Sequence, residues 1–140
     1  MPICPLCTKE NQDLLWQDPF CRVILVNDPA YPGFCRVILN AHIKEMTDLP
    51  EQDRQRLMDV VFTVESAVRE VMQPDKINLA SLGNMVPHVH WHVIPRFADD
   101  KHFPEAIWAQ AQRAGKPRGD TTIRPRLIAA LSRRLPAAAG

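Results

Sequence analysis

From Leu57 to Val71 apolar side chains return at spacings of three and four, at Leu57, Val60, Val61, Val64, Ala67, Val68 and Val71, with mostly polar residues between them. That period gathers them on one stripe of an α-helix. Pro50 suits a first helical turn and Pro74 stops the segment, so the pattern predicts one long amphipathic helix from Pro50 to about Met72, its stripe laid on a sheet. Upstream the period is different. Phe20-Cys-Arg-Val-Ile-Leu25 recurs letter for letter as Phe34-Cys-Arg-Val-Ile-Leu39, too close together to be a solenoid repeat. Turn formers crowd the stretch Asn27-Asp28-Pro29-Ala30-Tyr31-Pro32-Gly33 between the copies, so they read as two strands of an antiparallel hairpin with Cys21 and Cys35 in the core.

Downstream of the helix, residues 76 to 81 (Lys-Ile-Asn-Leu-Ala-Ser) read as a strand, with Asn78 structural, and Leu82 to Pro87 as a loop. The next strand, His88-Val89-His90-Trp91-His92-Val93-Ile94, alternates strictly and is ended by Pro95 and Arg96. Strand, strand, helix, strand, loop, strand describes an antiparallel α+β sheet. Past it, Pro104 to Arg113 reads as a short helix and Arg124 to Leu135 as another, with Leu127, Leu131 and Leu135 on one face. We therefore expect a single domain over 1–140, with a core at about 3–100 and a C-terminal helical extension at about 101–140.

Composition changes this picture little. The 140 residues are 46% hydrophobic and 24% charged, enough apolar matter for one core without staples. No apolar run approaches the length of about 20 residues that a membrane helix needs. The start Met1-Pro2-Ile3-Cys4 has no signal-peptide pattern, so the expectation is a cytoplasmic protein without a membrane partner. Net charge is +1, yet residues 101 to 140 carry eight Lys or Arg against only Glu105 and Asp120. A solvated basic helix accounts for that imbalance, and no nucleic-acid partner is expected. Four cysteines without an export signal argue against a disulfide framework, while the spacing of Cys4 and Cys7 suits either a metal or a redox pair.

The alternating histidines are the chemistry-bearing feature. In a strand His88, His90 and His92 share one face and Val89, Trp91 and Val93 the other. Alternate residues lie roughly 6.5 to 7 Å apart, so neighbouring rings can serve one reacting group, but the outer two cannot. Two chemistries compete. An H-x-H pair can ligate a catalytic zinc, but His42 and His102 are the only other histidines and no carboxylate cluster accompanies them, too few ligands for a dinuclear hydrolase. Alternatively one imidazole attacks phosphorus or an acyl carbon while its neighbours protonate the leaving group and hold oxygens.

The run His88-Val-His90-Trp-His92-Val-Ile resembles the signature of the histidine triad (HIT) superfamily of nucleotide hydrolases and transferases. Val26-Asn27-Asp28-Pro29, Pro32-Gly33, Val37-Ile38-Leu39 leading to His42, and Gly83-Asn84 add to the resemblance, which spans about residues 3 to 100. It implies an antiparallel sheet of about five strands with one long helix. It also implies that His90 is the nucleophile at the α-phosphate, and that His92 contacts the phosphate or bridging oxygen and helps the leaving group depart. Asn27 matches a ribose-hydroxyl ligand, and Asn84 the amide beside the phosphates. Dinucleoside polyphosphates or nucleoside phosphoramidates, with a purine nucleotide favoured, are the implied substrates; a sensing module with little turnover is the alternative. By the same resemblance, which is to the bacterial members with an N-terminal C-x-x-C pair, Cys4, Cys7, His42 and His88 form a structural zinc site. No cofactor is then needed for the chemical step, and a homodimer is expected. One departure stands out: many members read Pro-Gly-His where this chain has Pro32-Gly33-Phe34, so the nucleophile's support falls to a backbone carbonyl or a water.

Overall fold

The computed structural model describes residues 4–137; both ends of the expected domain, 1–3 and 138–140, lie outside the described residues. Five strands form one antiparallel sheet: β1 (Asp13–Gln17), β2 (Cys21–Leu25), β3 (Cys35–Leu39), β4 (Lys76–Ala80) and β5 (His90–Arg96), in the order β1-β2-β3-β5-β4. The long helix α1 (Glu51–Met72) separates β3 from β4, and α2 (Ile123–Ser132) follows the sheet. All seven apolar residues of the helical stripe are buried on the sheet, against Cys21, Val23, Cys35, Val37, Val89 and Val93. The opposite face of the sheet carries the histidines.

The duplicated hexapeptides are neighbours, paired Cys21 to Leu39 through Leu25 to Cys35. Alternation sends Cys, Val and Leu of each copy to the helix side, and Arg and Ile to the other. The turn between them presses on the end of α1: Gly33 has φ +85°, and a Cβ there would lie 2.7 Å from Cγ of Met72. Glycine meets both demands at once.

Four points differ from the sequence reading. β1 had no position assigned, because Leu14-Leu15-Trp16 does not alternate: a bulge between Leu14 and Trp16 inserts Leu15 and breaks the period. β5 continues through Pro95 and Arg96, which pair with Ile77 and Lys76. β3 has already ended opposite Val93, so the missing N–H of Pro95 interrupts no ladder on that side. His88 lies ahead of the strand, because the carbonyls of His88 and Val89 are taken by the His90 ring and the Leu39 amide. Finally, Pro104 to Arg113 is not helical. Ile107 and Trp108 are its only large apolar residues, too few to recur at helical spacing and give a helix there a face to bury.

The C-terminal cations turn inward to this chain. Arg124 pairs with Asp13 at 2.7 Å, Arg126 donates to the last-turn carbonyl of Val71 on α1, and Arg133 and Arg134 both pair with Glu70. Cations near the C-terminal end of α1 also oppose its dipole. Among the described residues no helix is long and apolar enough to cross a membrane.

Candidate functional site

The histidine face holds two centres that meet at His88. In the first, Cys4, Cys7, His42 and His88 present ligand atoms that all lie within 4.8 Å of one another. Sγ of Cys4 is 3.4 Å from Nδ1 of His88, and Sγ of Cys7 is 3.2 Å from Nδ1 of His42. The ring of His88 donates from Nε2 to the carbonyl of Leu39 at 2.6 Å, which leaves Nδ1 as the free donor atom facing the sulfurs. An orienting hydrogen bond of this kind is the usual support of a metal-ligating histidine. Two thiolates and two imidazoles complete a tetrahedral set with no open position, the donor chemistry of a structural site. The residues present therefore fit a metal ion.

Arg22 underlies this cluster. It is fully buried and donates to Gln12 (2.8 Å), to Asn40 (2.9 Å) and to the carbonyl of Leu6 (2.6 Å), the residue just before Cys7. Cys21 and Cys35 sit apart in the core, their thiols pushed up to about 12 by burial. They are unreactive at neutral pH.

The second centre is built on His90 and His92, whose rings stand nearly perpendicular at 5.0 Å. Nδ1–H of His90 donates to the carbonyl of His88 at 2.7 Å. The lone pair therefore resides on Nε2, which among the described residues has no partner. This carbonyl supplies the support that Phe34 cannot. Burial, reinforced by the charge of Arg36, pushes the His90 pKa down, which favours the neutral ring. His92 has the opposite tautomer: Nε–H of Arg36 donates to its Nδ1 at 3.2 Å, which leaves the proton on Nε2. Burial and then the Arg36 and His90 charges lower its pKa to about 4. One ring thus offers a lone pair and the next an N–H.

Both rings line a cavity of about 280 Å³ together with Arg36, Asn84, Gly83 and an apolar rim of Leu82, Met85 and Trp108. The rim residues are exposed, Met85 almost entirely. Asn84 thus lines the same cavity as the histidines, whereas Asn27 lines a separate groove of about 560 Å³ with Asp13, Asp120 and Arg124.

Trp108 reaches the site because the chain after β5 is clasped to the sheet. Buried Arg96 pairs with Asp100 at 2.8 Å and also binds Asn78 and the carbonyl of Glu105. Burial works against the Asp100 charge, yet Arg96 and the amides of Phe97, Phe103 and His102 hold its carboxyl well below the usual range. The segment so fixed brings the Trp108 ring to 5.1 Å from that of His92. Spacing along the sequence does not bring Trp108 or Arg36 to His92. The available signal was an arginine at an alternating position in an otherwise apolar strand, facing the same side as the histidines.

A lone-pair imidazole and an N–H imidazole, side by side on the open face of a small α+β sheet, have the chemistry that nucleophilic attack at an anionic centre requires. The model of the HIT domain family matches residues 8–99, and the chain belongs to that family. Among solved structures, a histidine triad protein from Bradyrhizobium japonicum is 31% identical and superposes with a TM-score of 0.73, over 90% of this chain and 92% of that one. The adenylylsulfatase HINT3 of Arabidopsis thaliana is 26% identical over 112 residues, 76% of this chain and 54% of that protein. An AP-4-A phosphorylase of Mycobacterium tuberculosis is 26% identical over 81 residues, 54% of this chain and 42% of its own length.

Proposed function

We propose that the chain is a nucleotide hydrolase or nucleotidyl transferase that cleaves the α-phosphate linkage of dinucleoside polyphosphates or nucleoside phosphoramidates, with a purine nucleotide as the favoured substrate. The observation that carries this reading is the hydrogen bond from His90 Nδ1 to the His88 carbonyl, which reserves Nε2 for attack. In the first half-reaction Nε2 bonds to the α-phosphorus and the leaving group departs with the bonding pair. Water then attacks phosphorus, the N–P bond breaks with its electrons returning to Nε2, and the water's proton passes to solvent. His92 Nε2–H contacts a phosphate or bridging oxygen, and Asn84 lies beside the phosphates. Asn27 takes the ribose hydroxyl in this reading, which its position in the separate groove does not itself support; Asn27→Ala should raise KM and leave kcat unchanged.

His90→Ala should abolish monophosphate release while nucleotide binding persists, and rapid-quench trapping should recover a labelled nucleotide on His90 of the wild type. Substantial turnover in the alanine variant would sink the mechanism. Phe34 in place of the family's usual histidine favours a second reading, a nucleotide-sensing module with little turnover. Binding without any trapped adduct would select it.

The cluster of Cys4, Cys7, His42 and His88 is proposed to hold zinc, which when bound cross-links the N-terminal turn to the segment before β5 and takes no part in the reaction. Metal analysis of protein purified without chelators tests it; absence of zinc, or unchanged stability in Cys4→Ser, would overturn it. A homodimer in the cytoplasm completes the reading, with the half-exposed Phe62 on the outer side of α1 an apolar feature that a partner copy would cover. Light scattering in solution checks the assembly.

A further inference from the structure

Arg36 is spent on one side only. Its Nε–H is bonded to Nδ1 of His92 at 3.2 Å, and among the described residues neither terminal nitrogen of the guanidinium has a hydrogen-bond partner. It lines the same cavity as the two rings, and its guanidinium lies 5.5 Å from the centre of the Phe34 ring. Phe34 in turn stands edge-on to His92 at 5.7 Å. An unpaired, permanently charged fork beside a phosphate-handling site is suited to anionic oxygens, which it can bind with two parallel N–H donors.

The bond to His92 has a second consequence. Nδ1 can accept from Arg36 only while the ring is neutral, because a proton there would face the Nε–H. The charged and titratable groups facing this ring are Arg36 from β3 and His90 from its own strand, and Trp108 on the remaining side has no charge. His92 is therefore a hydrogen-bond donor and not an acid. A phosphoanhydride suits such a site: when His90 Nε2 forms its bond to phosphorus, the P–O bond breaks and the electron pair stays on the departing phosphate as negative charge, with no proton required. A phosphoramidate does not. Its nitrogen must gain a proton as the P–N bond breaks, and the ring beside it could supply one only by becoming an imidazolate.

Resting on the nucleotidyl-transfer reading above, we propose that Arg36 positions His92 and receives the leaving phosphate, making this chain selective for leaving groups that depart as anions. The substrate class is then the nucleotide phosphoanhydrides, not the phosphoramidates.

The test compares kcat/KM for diadenosine tetraphosphate and for an adenosine phosphoramidate bearing an alkylamine, with the wild type, Arg36→Gln and Arg36→Lys. The wild type should prefer the anhydride by about tenfold or more, and Arg36→Gln should cut that preference by roughly tenfold to a hundredfold, the usual effect of removing one charged donor. Arg36→Lys, which keeps the charge but not the fork, should restore part of it. An equal or better rate on the phosphoramidate by the wild type would overturn the inference without needing a folded variant, and so would an equal loss on both substrates in Arg36→Gln. Monophosphate release from neither substrate by the wild type would remove the nucleotidyl-transfer reading itself, and this inference with it.

Discussion

Arg22 and Arg36 occupy the same place in two identical hexapeptides, on adjacent strands and on the same face of the sheet, yet they do opposite work. Every arm of Arg22 is used: three partners hold it, and its burial is complete. Arg36 is half-buried and gives one N–H to one ring. What separates them is the neighbouring strand. β2 lies between β1 and β3 under the Cys4–Cys7 turn, whereas β3 lies against β5, where Arg36 is opposite His92 in register. Position in the sheet, not local sequence, turns one arginine into scaffold and leaves the other available for ligand.

The comparison can be tested by its consequences for stability. The largest effect is expected from metal removal on the Arg22 side: if the cluster holds zinc at a thousandfold excess over its dissociation constant, chelation should cost about 4 kcal/mol, read as a fall in Tm. Arg22→Ala should follow with a loss of about 3 kcal/mol, because the carbonyl of Leu6 and the side chains of Gln12 and Asn40 lose their donor in a buried setting. Arg36→Ala, by contrast, should leave Tm nearly unchanged, and an equal destabilisation by both substitutions would erase the distinction.

Acid comes next. His92 is held near 4 in the folded chain, below the ordinary histidine value, so the unfolded state binds more protons between those limits. Stability is therefore full above about pH 6.5 and falls as pH drops toward 4, by on the order of 2 kcal/mol at about pH 5. Thermal melts of wild type and His92→Asn should diverge at neutral pH and converge in acid, as the contribution of this ring is lost. The smallest effect belongs to Phe34→His. The His88 carbonyl already orients His90 and Arg36 already occupies Nδ1 of His92, so restoring the family's usual histidine should change kcat/KM by less than about threefold; a large gain would mean that these two contacts do not replace its support.

Most of the fold was legible because it rests on periodicity. The stripe of α1 and the hairpin are continuous patterns, and both lie where the spacing puts them. β1 was not legible, since its bulge makes three successive apolar residues of what would otherwise alternate. The Cys4, Cys7, His42 and His88 cluster came through resemblance, and the structure brings its members together. Arg36 and the Arg96–Asp100 clasp escaped because their meaning depends on partners far along the chain: Arg36 meets His92 across 56 residues. Sequence spacing shows which face a side chain occupies, but not which strand will lie beside it.

The hydrogen bond that orients His90 ends on the main-chain oxygen of residue 88, not on the imidazole of that residue. Every amino acid has such an oxygen. Position 88 can therefore change in the course of evolution, giving up its place in the Cys4, Cys7 and His42 cluster, while the acceptor that sets the His90 tautomer is inherited intact. Dismantling the Cys4, Cys7, His42 and His88 cluster and disturbing the tautomer of His90 would be separate events for this chain, reached by different mutations.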